Sequence, residues 1–306
     1  MASLQPAMRA LTYVVPAGQS YVDLAEGLSK CNRRLYRQGM QYAIQKIEFS
    51  YAAQVDAISS IHLTAGVAGD TWVVHNAWKK AFAHWTAQQR RARRMIGQSA
   101  QPTWEDFKIY LSDAHRAGTK LDVYAGDAAV VGGGEWDYSK FLWENDDASI
   151  EEAYGHIIGG DLGTVSDVGL ILAYQQSRAT VQPEDPDLPN EFSTNLYALM
   201  GADQDDVADE VAQNMEQEND EPPYDQNDYP GNDTNADASW IIETAAASVG
   251  MPNASLDGFV SQCGLLQFKN QGYDSAGNPA AAPSLGVTVH LAPGGYKGVA
   301  AIPMGQ

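Results

Sequence analysis

Apolar positions along the chain alternate, or recur at helical spacing, near both ends and lose both habits in a long middle stretch. Leu11-Thr-Tyr-Val-Val15 reads as a short strand stopped by Pro16-Ala-Gly18. Leu24, Leu28, Cys31 and Leu35 then fall at i, i+4, i+7 and i+11, one face of a helix, with Ser20 or Asp23 as its cap and Gly39 as its end. A long strand follows on Met40, Tyr42, Ile44, Ile47, Phe49 and Tyr51. Its alternation changes phase at Lys46, as one bulged residue would make it do. Ile58–Ala65 reads as a second strand and a candidate partner for it. Residues 76–117 turn helical. Trp78, Phe82, Trp85, Ala92 and Ile96 share a narrow arc of one helix; Thr103 opens a second, with Asp106 in capping-box position, that carries Trp104, Phe107 and Leu111 inward as far as Gly118.

Runs near 121–131 and 136–143 look like strands around Gly132-Gly-Gly134, and 154–181 fits strand and helix equally. From Pro183 to Asp237 the chain is mostly loop, with one short helix on Val207, Val211 and Met215. At the end Val287, Val289 and Leu291 alternate, Pro293-Gly-Gly295 turns, and Val299 to Ile302 returns as a hairpin. Strands at both ends with long connections between them predict a mainly β fold, a sandwich whose terminal strands pair centrally. No regular βαβ alternation favours a doubly wound sheet. We treat 1–306 as one domain with a helical insertion at 76–118 and an acidic loop insertion at 183–240.

Composition adds a chemical division to this picture. The 306 residues carry 19 Lys and Arg against 39 Asp and Glu, a net charge of −20, which argues against a plain nucleic-acid binder. Yet residues 1–121 hold 15 basic and 8 acidic residues, whereas 122–306 hold 4 and 31; within 184–237 there are 17 acids and no Lys or Arg. Such asymmetry points to two faces meeting different partners. Two cysteines, Cys31 and Cys263, exclude a disulfide scaffold and a thiolate metal knuckle. No apolar run is long enough to span a membrane, and the N-terminus does not read as a signal peptide.

The sharpest local feature is Arg90-Arg91-Ala-Arg93-Arg94. On its helix Lys79, Arg90 and Arg94 project opposite the Trp78 stripe, with Lys80 and Arg91 beside them, a cationic patch suited to phosphate or carboxylate. Lys30, Arg33, Arg34 and Arg37 form a smaller set at the end of the first helix. Both sets read equally as nucleic-acid contacts, as subunit contacts, or as solvated helix faces. In the acidic tract, Asp233-Thr-Asn-Ala-Asp237 starts like a calcium loop. It lacks the turn glycine and the closing Glu, which leaves only a looser calcium cage on Asp225, Asp228, Asp233 and Asp237.

Enzyme signatures are weak. The six histidines lack metal-ligand spacing, and His84 and His115 are expected to pack against the core. Gly132-Gly-Gly134 is no phosphate cradle, Glu135 and Asp137 flanking Trp136 make no convincing glycosidase pair, and Cys31 reads as packing. No catalytic residue and no resident cofactor is assigned, and the chain is expected not to be an enzyme.

Several strings resemble the capsid proteins of circular Rep-encoding single-stranded DNA viruses, the circovirus-like group. They are Tyr21-Val-Asp-Leu24, Asn32-Arg-Arg-Leu-Tyr-Arg-Gln-Gly39, His75-Asn-Ala-Trp-Lys-Lys-Ala-Phe82, Gly134-Glu-Trp-Asp-Tyr-Ser139, Gln182-Pro183, Glu218-Asn-Asp-Glu-Pro-Pro-Tyr224 and Gly295-Tyr-Lys-Gly-Val-Ala-Ala-Ile-Pro303, spread over most of the chain. The resemblance implies a viral jelly roll of two four-stranded antiparallel sheets with helices in long loops. It also implies self-assembly into an icosahedral (T=1) shell of about 60 copies around a circular single-stranded DNA genome, and a place in the virion, or in the host cell during assembly. On it the Arg-rich helix would face DNA or a subunit junction, and the 184–237 loops would face outward or line an axis. One departure stands out: such capsids usually begin with an Arg-rich arm, and here Arg9 is the only basic residue among the first 29. The alternative from another class is a carbohydrate- or calcium-binding β-sandwich with Trp136, Trp143, Tyr224 and Tyr229 as sugar platforms; a hydrolase on the same scaffold is more distant.

Overall fold

A computed structural model describes residues 7–51, 58–96, 103–125, 130–144, 150–159, 167–177 and 240–305. In chain order they form β1 (Ala10–Val15), β2 (Gly18–Asp23), α1 (Leu24–Asn32), β3 (Met40–Ser50), β4 (Ser60–Val67), α2 (Trp72–Ile96) and α3 (Asp113–Ala117). Next come β5 (Lys140–Glu144), β6 (Ile150–His156), β7 (Asp167–Gly169), α4 (Leu170–Gln176), β8 (Trp240–Ser248), β9 (Asn253–Leu256) and β10 (Phe259–Ser261). The chain closes with β11 (Leu265–Tyr273), β12 (Pro279–Ala280), β13 (Leu285–Leu291), β14 (Pro293–Gly294), β15 (Gly298–Val299) and β16 (Ala301–Pro303). The fold is mainly β, and its two large sheets are antiparallel throughout.

In the first sheet β1 pairs with β13 (Leu11 opposite Val289), and β13 pairs with β3 (Val289 opposite Ile47). The far edge of β3 carries β9 and β10 end to end, and β16 extends the β13 side. In the second sheet β11 lies between β2 with β12 on one side and β4 on the other, and β8 closes the β4 edge. Each sheet therefore has four lanes. Counting lanes along the chain, with β9 and β10 sharing the sixth, the first sheet runs 1-8-3-6 and the second 2-7-4-5. The expected pairing of the terminal strands is found as β1 on β13, but not in the centre: β1 is the edge strand of its sheet. The expected pairing of the Ile58–Ala65 strand with β3 is not found: β3 has both edges occupied, and β4 lies in the opposite sheet. The C-terminal return also differs, because β15 pairs only with β14 and β16 passes on to β3.

The period-two pattern of these strands buries one face of each sheet in a shared core. Leu11, Tyr13, Ile47, Phe49, Val287 and Val289 meet Ile61, Leu63, Leu266 and Phe268, all at most 3% exposed. Each such aliphatic or aromatic side chain contributes about 1.5–3 kcal/mol relative to exposure. The phase change near Lys46 is a bulge: His290 stands opposite Lys46 but Leu291 opposite Ile44, so Gln45 is the extra residue and Ile44 and Ile47 both point inward. The bulge pushes backbone against Gly258, where an added Cβ would lie 2.6 Å from the Gln45 carbonyl oxygen and 2.7 Å from that of Ile44. Gly258→Ala is therefore expected to cost about 1–3 kcal/mol in urea denaturation. Gly286→Ala, whose Cβ meets nothing within 4 Å, should change little.

The described residues of the long insertion between β4 and β8 pack on the outer face of the second sheet. Tyr21, Cys263 and Leu265 of the sandwich side meet Val74, Trp78, Phe107, Ile109, Leu111, Ile157 and Ile171 in a second core. The helix expected from Thr103 is absent. Phe107, Ile109 and Leu111 are buried at period two, and Tyr110 N donates to the Gly155 carbonyl, so this stretch is extended and bridges to the end of β6. Only α3 is helical there, capped by Ser112. The first helix also ends earlier than Gly39, at Asn32, where Arg33 turns left-handed (φ 53°) and leaves Leu35 outside it. The ambiguous stretch resolves into the end of β6, then β7 and α4. The acidic loop insertion and the Val207 helix lie outside the described residues.

Candidate nucleic-acid interface

The site starts from a buried carboxylate. Asp23 caps α1, its Oδ1 accepting from the Ala25 and Glu26 amides at 3.0 and 3.1 Å. Its Oδ2 accepts from Gln38 Nε2 at 2.9 Å, Trp136 Nε1 at 3.0 Å and the Tyr138 hydroxyl at 3.3 Å. Burial and the neighbouring Glu26 push its pKa up to about 6. One side chain thus stitches the start of α1 to the α1–β3 connection and to the 136–138 segment. Glu26, also buried, accepts from Lys30 at 2.8 Å and Lys120 at 2.9 Å.

These bonds set α1 and the 131–136 segment as the two walls of a cleft of about 410 Å³. Lys30, Arg33 and Arg34 line the helix wall; Lys108 and Trp136 line the other, with Gly132 and Gly134 adding bare backbone. Lys108 Nζ lies 4.4 Å from the centroid of the Trp136 ring, a desolvated cation–π contact, and donates to the Asp137 carbonyl at 3.3 Å. Trp104 also lines the cleft and is 63% exposed, an unusual place for so large an aromatic ring. Cations outnumber the lining acids Glu26 and Glu135, so the cleft favours an anion.

The turn that carries Trp104 also joins the two basic sets. Glu105 accepts twice from Arg93 Nη2, at 2.5 Å, on α2. Asp106 accepts from Arg37 Nη1 at 3.2 Å and from the Gln38 amide at 2.9 Å; burial raises the pKa of its carboxyl. Arg93 and Arg37 are therefore anchors that position Trp104.

The proposed cationic patch on α2 is not compact. Its two basic clusters are ten residues apart on the 25-residue helix, a separation of about 15 Å. Lys79 is exposed and donates to the Gly305 carbonyl at 3.3 Å; Lys80 donates to Ser177 Oγ and lies 5.9 Å from the Tyr174 ring centroid. These two belong to the packing of the C-terminus and α4. Arg90, Arg91 and Arg94 are exposed towards the C-terminal end of α2. In the smaller set, Arg33 and Arg34 are exposed, whereas Lys30 is held between Glu26 and Asp122.

Sequence reasoning missed Trp104 and Lys108 as cleft residues. Trp104 was expected inward on a helix that does not form; its solvation follows from the extended backbone after it. Of the two histidines expected in the core, His115 is buried and His84 is exposed on α2. Glu135 and Asp137 are both exposed. Trp136 is held by Asp23 and Lys108, and Trp143 lines an apolar hollow beside Phe141, Leu170 and Tyr174. Tyr224, Tyr229 and the calcium candidates Asp225, Asp228, Asp233 and Asp237 lie outside the described residues. Among the described residues no three His, Cys, Asp or Glu side chains converge on a metal position.

No protein-family model, curated protein or solved structure matches the chain. The functional reading therefore rests on the fold and on this cationic, aromatic surface.

Proposed function

We propose that the chain is a coat-protein subunit of a circular Rep-encoding single-stranded DNA virus, folded as a viral jelly roll and assembling into a closed shell around the genome. The observation that carries the reading is the lane order. Lanes pair as 1 with 8, 2 with 7, 3 with 6 and 4 with 5. That is the pattern of a long hairpin of four strand pairs wound so that alternate pairs fall in opposite sheets. Two interlocked Greek keys of this kind define jelly rolls, a fold shared by viral coats, lectins and cupins.

Within that group the cationic cleft and the exposed Arg90, Arg91 and Arg94 favour the coat protein over the carbohydrate module. Trp136 has Lys108 over its ring, and the exposed Trp104 beside it stands among cations, a setting that suits an anionic ligand better than a neutral sugar. The strongly acidic remainder of the chain makes uniform genome condensation unfavourable, so the DNA would be held at local basic sites rather than by a general cationic lining.

The test is the mass of the purified, nuclease-treated protein by light scattering, with absorbance at 260 and 280 nm on the same peak. About 60 copies of a 33.1 kDa chain give a peak near 2 MDa, and an elevated ratio would report protected DNA. A peak at the mass of one chain under all assembly conditions would overturn the proposal.

A further inference from the structure

We propose that the cleft between α1 and the 131–136 segment binds one unpaired nucleotide of single-stranded DNA, with the base stacked on Trp104 and its phosphates on Arg33 and Arg34. This deepens the coat-protein reading and rests on it for the identity of the DNA as genome, though not for the chemistry of the cleft.

Three observations point to this ligand. The first is size: about 410 Å³ lies in the range of small-ligand sites, enough for a mononucleotide but not for a duplex. The second is the presence of an exposed indole and guanidinium groups in the lining of one cleft. Aromatic faces that stack bases beside cations that track phosphates are the general design of single-strand binding sites, because every base offers a π face. A duplex keeps its bases stacked on one another and would have to be opened first. The third is preorganisation. Trp104 follows Thr103 on a turn whose next two residues are both anchored, Glu105 by Arg93 and Asp106 by Arg37 and Gln38. The opposite wall is held by Trp136 through Asp23, and at Gly132 and Gly134 an added Cβ would meet nothing within 4 Å, so the ligand can approach bare backbone.

The roles divide cleanly. Arg33 and Arg34 supply phosphate contacts that carry no base preference, and Trp104 supplies stacking. Lys108 is committed to Trp136 and Asp137 and acts as a positioning residue for the wall. Lys30 lines the same cleft but is paired with Glu26 and Asp122.

The experiment uses a fluorescein-labelled short oligothymidylate added to freshly purified subunits, so that it meets the cleft whether or not a shell then closes. Anisotropy titrations are run over a salt series beside light scattering on the same samples. Trp104→Ala is expected to weaken binding about tenfold or more, with Trp104→Phe restoring most of it. Arg33→Gln with Arg34→Gln should lower the slope of log affinity against log salt by about 1.4, two single-strand phosphate contacts. Double-stranded DNA of the same length should bind more weakly and be indifferent to Trp104. If the Trp104 and arginine variants bind the oligomer as the parent does while shells form normally, the cleft proposal is overturned and the coat reading stands. If those variants lose binding but no shell forms under any condition, the cleft proposal stands and the coat reading falls. Loss of binding in Trp104→Ala that Phe does not rescue would overturn the stacking role.

Discussion

Replacing Asp23 with alanine is expected to lower the unfolding free energy by about 3–5 kcal/mol at pH 7, because it strands several buried neutral donors, each of which costs about 1–3 kcal/mol when left unsatisfied. The side chain accepts five hydrogen bonds, from two amides of α1, from Gln38, from the Trp136 indole and from Tyr138. Alanine leaves these donors without their acceptor in a buried site. Loss of the helix cap alone accounts for about 1 kcal/mol. The raised pKa shows that the carboxylate is itself costly to bury, so part of the loss is returned, and the value should fall at the lower end of that range. Asp23→Asn sharpens the argument. Its carbonyl oxygen can still cap α1, but its NH₂ would face Gln38 Nε2 and Trp136 Nε1, donor against donor. It should be less stable than the parent at pH 7 despite removing a buried charge, as chemical denaturation followed by tryptophan emission would show. Both variants should also release Trp136 and open one wall of the cleft, because Asp23 is what holds that indole.

That network shows how the legible and illegible parts of this chain divide. A capping residue ahead of an i, i+4, i+7 stripe is a local signal, and of the two candidates, Ser20 and Asp23, it is Asp23 that caps α1. So is the phase slip at Lys46, because the face of a strand is set residue by residue, and the bulge falls at Gln45. Which strand lies beside which is a different kind of information. Ile58–Ala65 and Val287–Leu291 have the same alternation, yet one joins β3 and the other crosses to the opposite sheet. The choice depends on how the chain closes around a core, which no window of residues contains. The stretch after Thr103 fails for a third reason. Trp104, Phe107 and Leu111 fit a helix, while Phe107, Ile109 and Leu111 fit a strand, and contact with the end of β6 decides between them. With that decision Trp104 moves from core to surface. The cleft was therefore hidden behind a single misread period, while its arginines were visible.

Between pH 7 and pH 4, His115→Asn is expected to remove about 3 kcal/mol of acid-induced destabilisation. His115 is 1% exposed, stacked on Tyr21 at 5.0 Å and edge-on to Tyr110 at 5.2 Å. Its Nδ1 accepts the Leu111 amide at 3.1 Å, so a proton there would face another donor. Burial, reinforced by Lys120, lowers its pKa from 6.5 to about 3. A base whose folded pKa lies below its unfolded one stabilises the protein fully above the unfolded pKa and loses that contribution as pH falls toward the folded pKa. Here the loss runs from about 6.5 down to about 3. Asp23 has the opposite sign: its folded pKa, about 6, lies above the ordinary 3.8, so its burial is unpenalised below 3.8 and costs stability as pH rises to 6. Over pH 4–6 the two slopes are equal and opposite, about 1.4 kcal/mol per pH unit each. His156, lowered by burial, adds to the first limb, and Asp106, raised by burial, to the second. The parent should therefore show an almost flat stability profile across this window. Its single variants should tilt in opposite directions, Asp23→Asn losing stability with acid and His115→Asn gaining it. Asparagine is chosen because its side-chain oxygen can take the Leu111 amide in place of Nδ1. The lost ring costs stability at every pH, so the readout is the difference between pH 6 and pH 4 within each variant. Parallel profiles for the parent and His115→Asn would mean that the histidine finds a way to charge while buried.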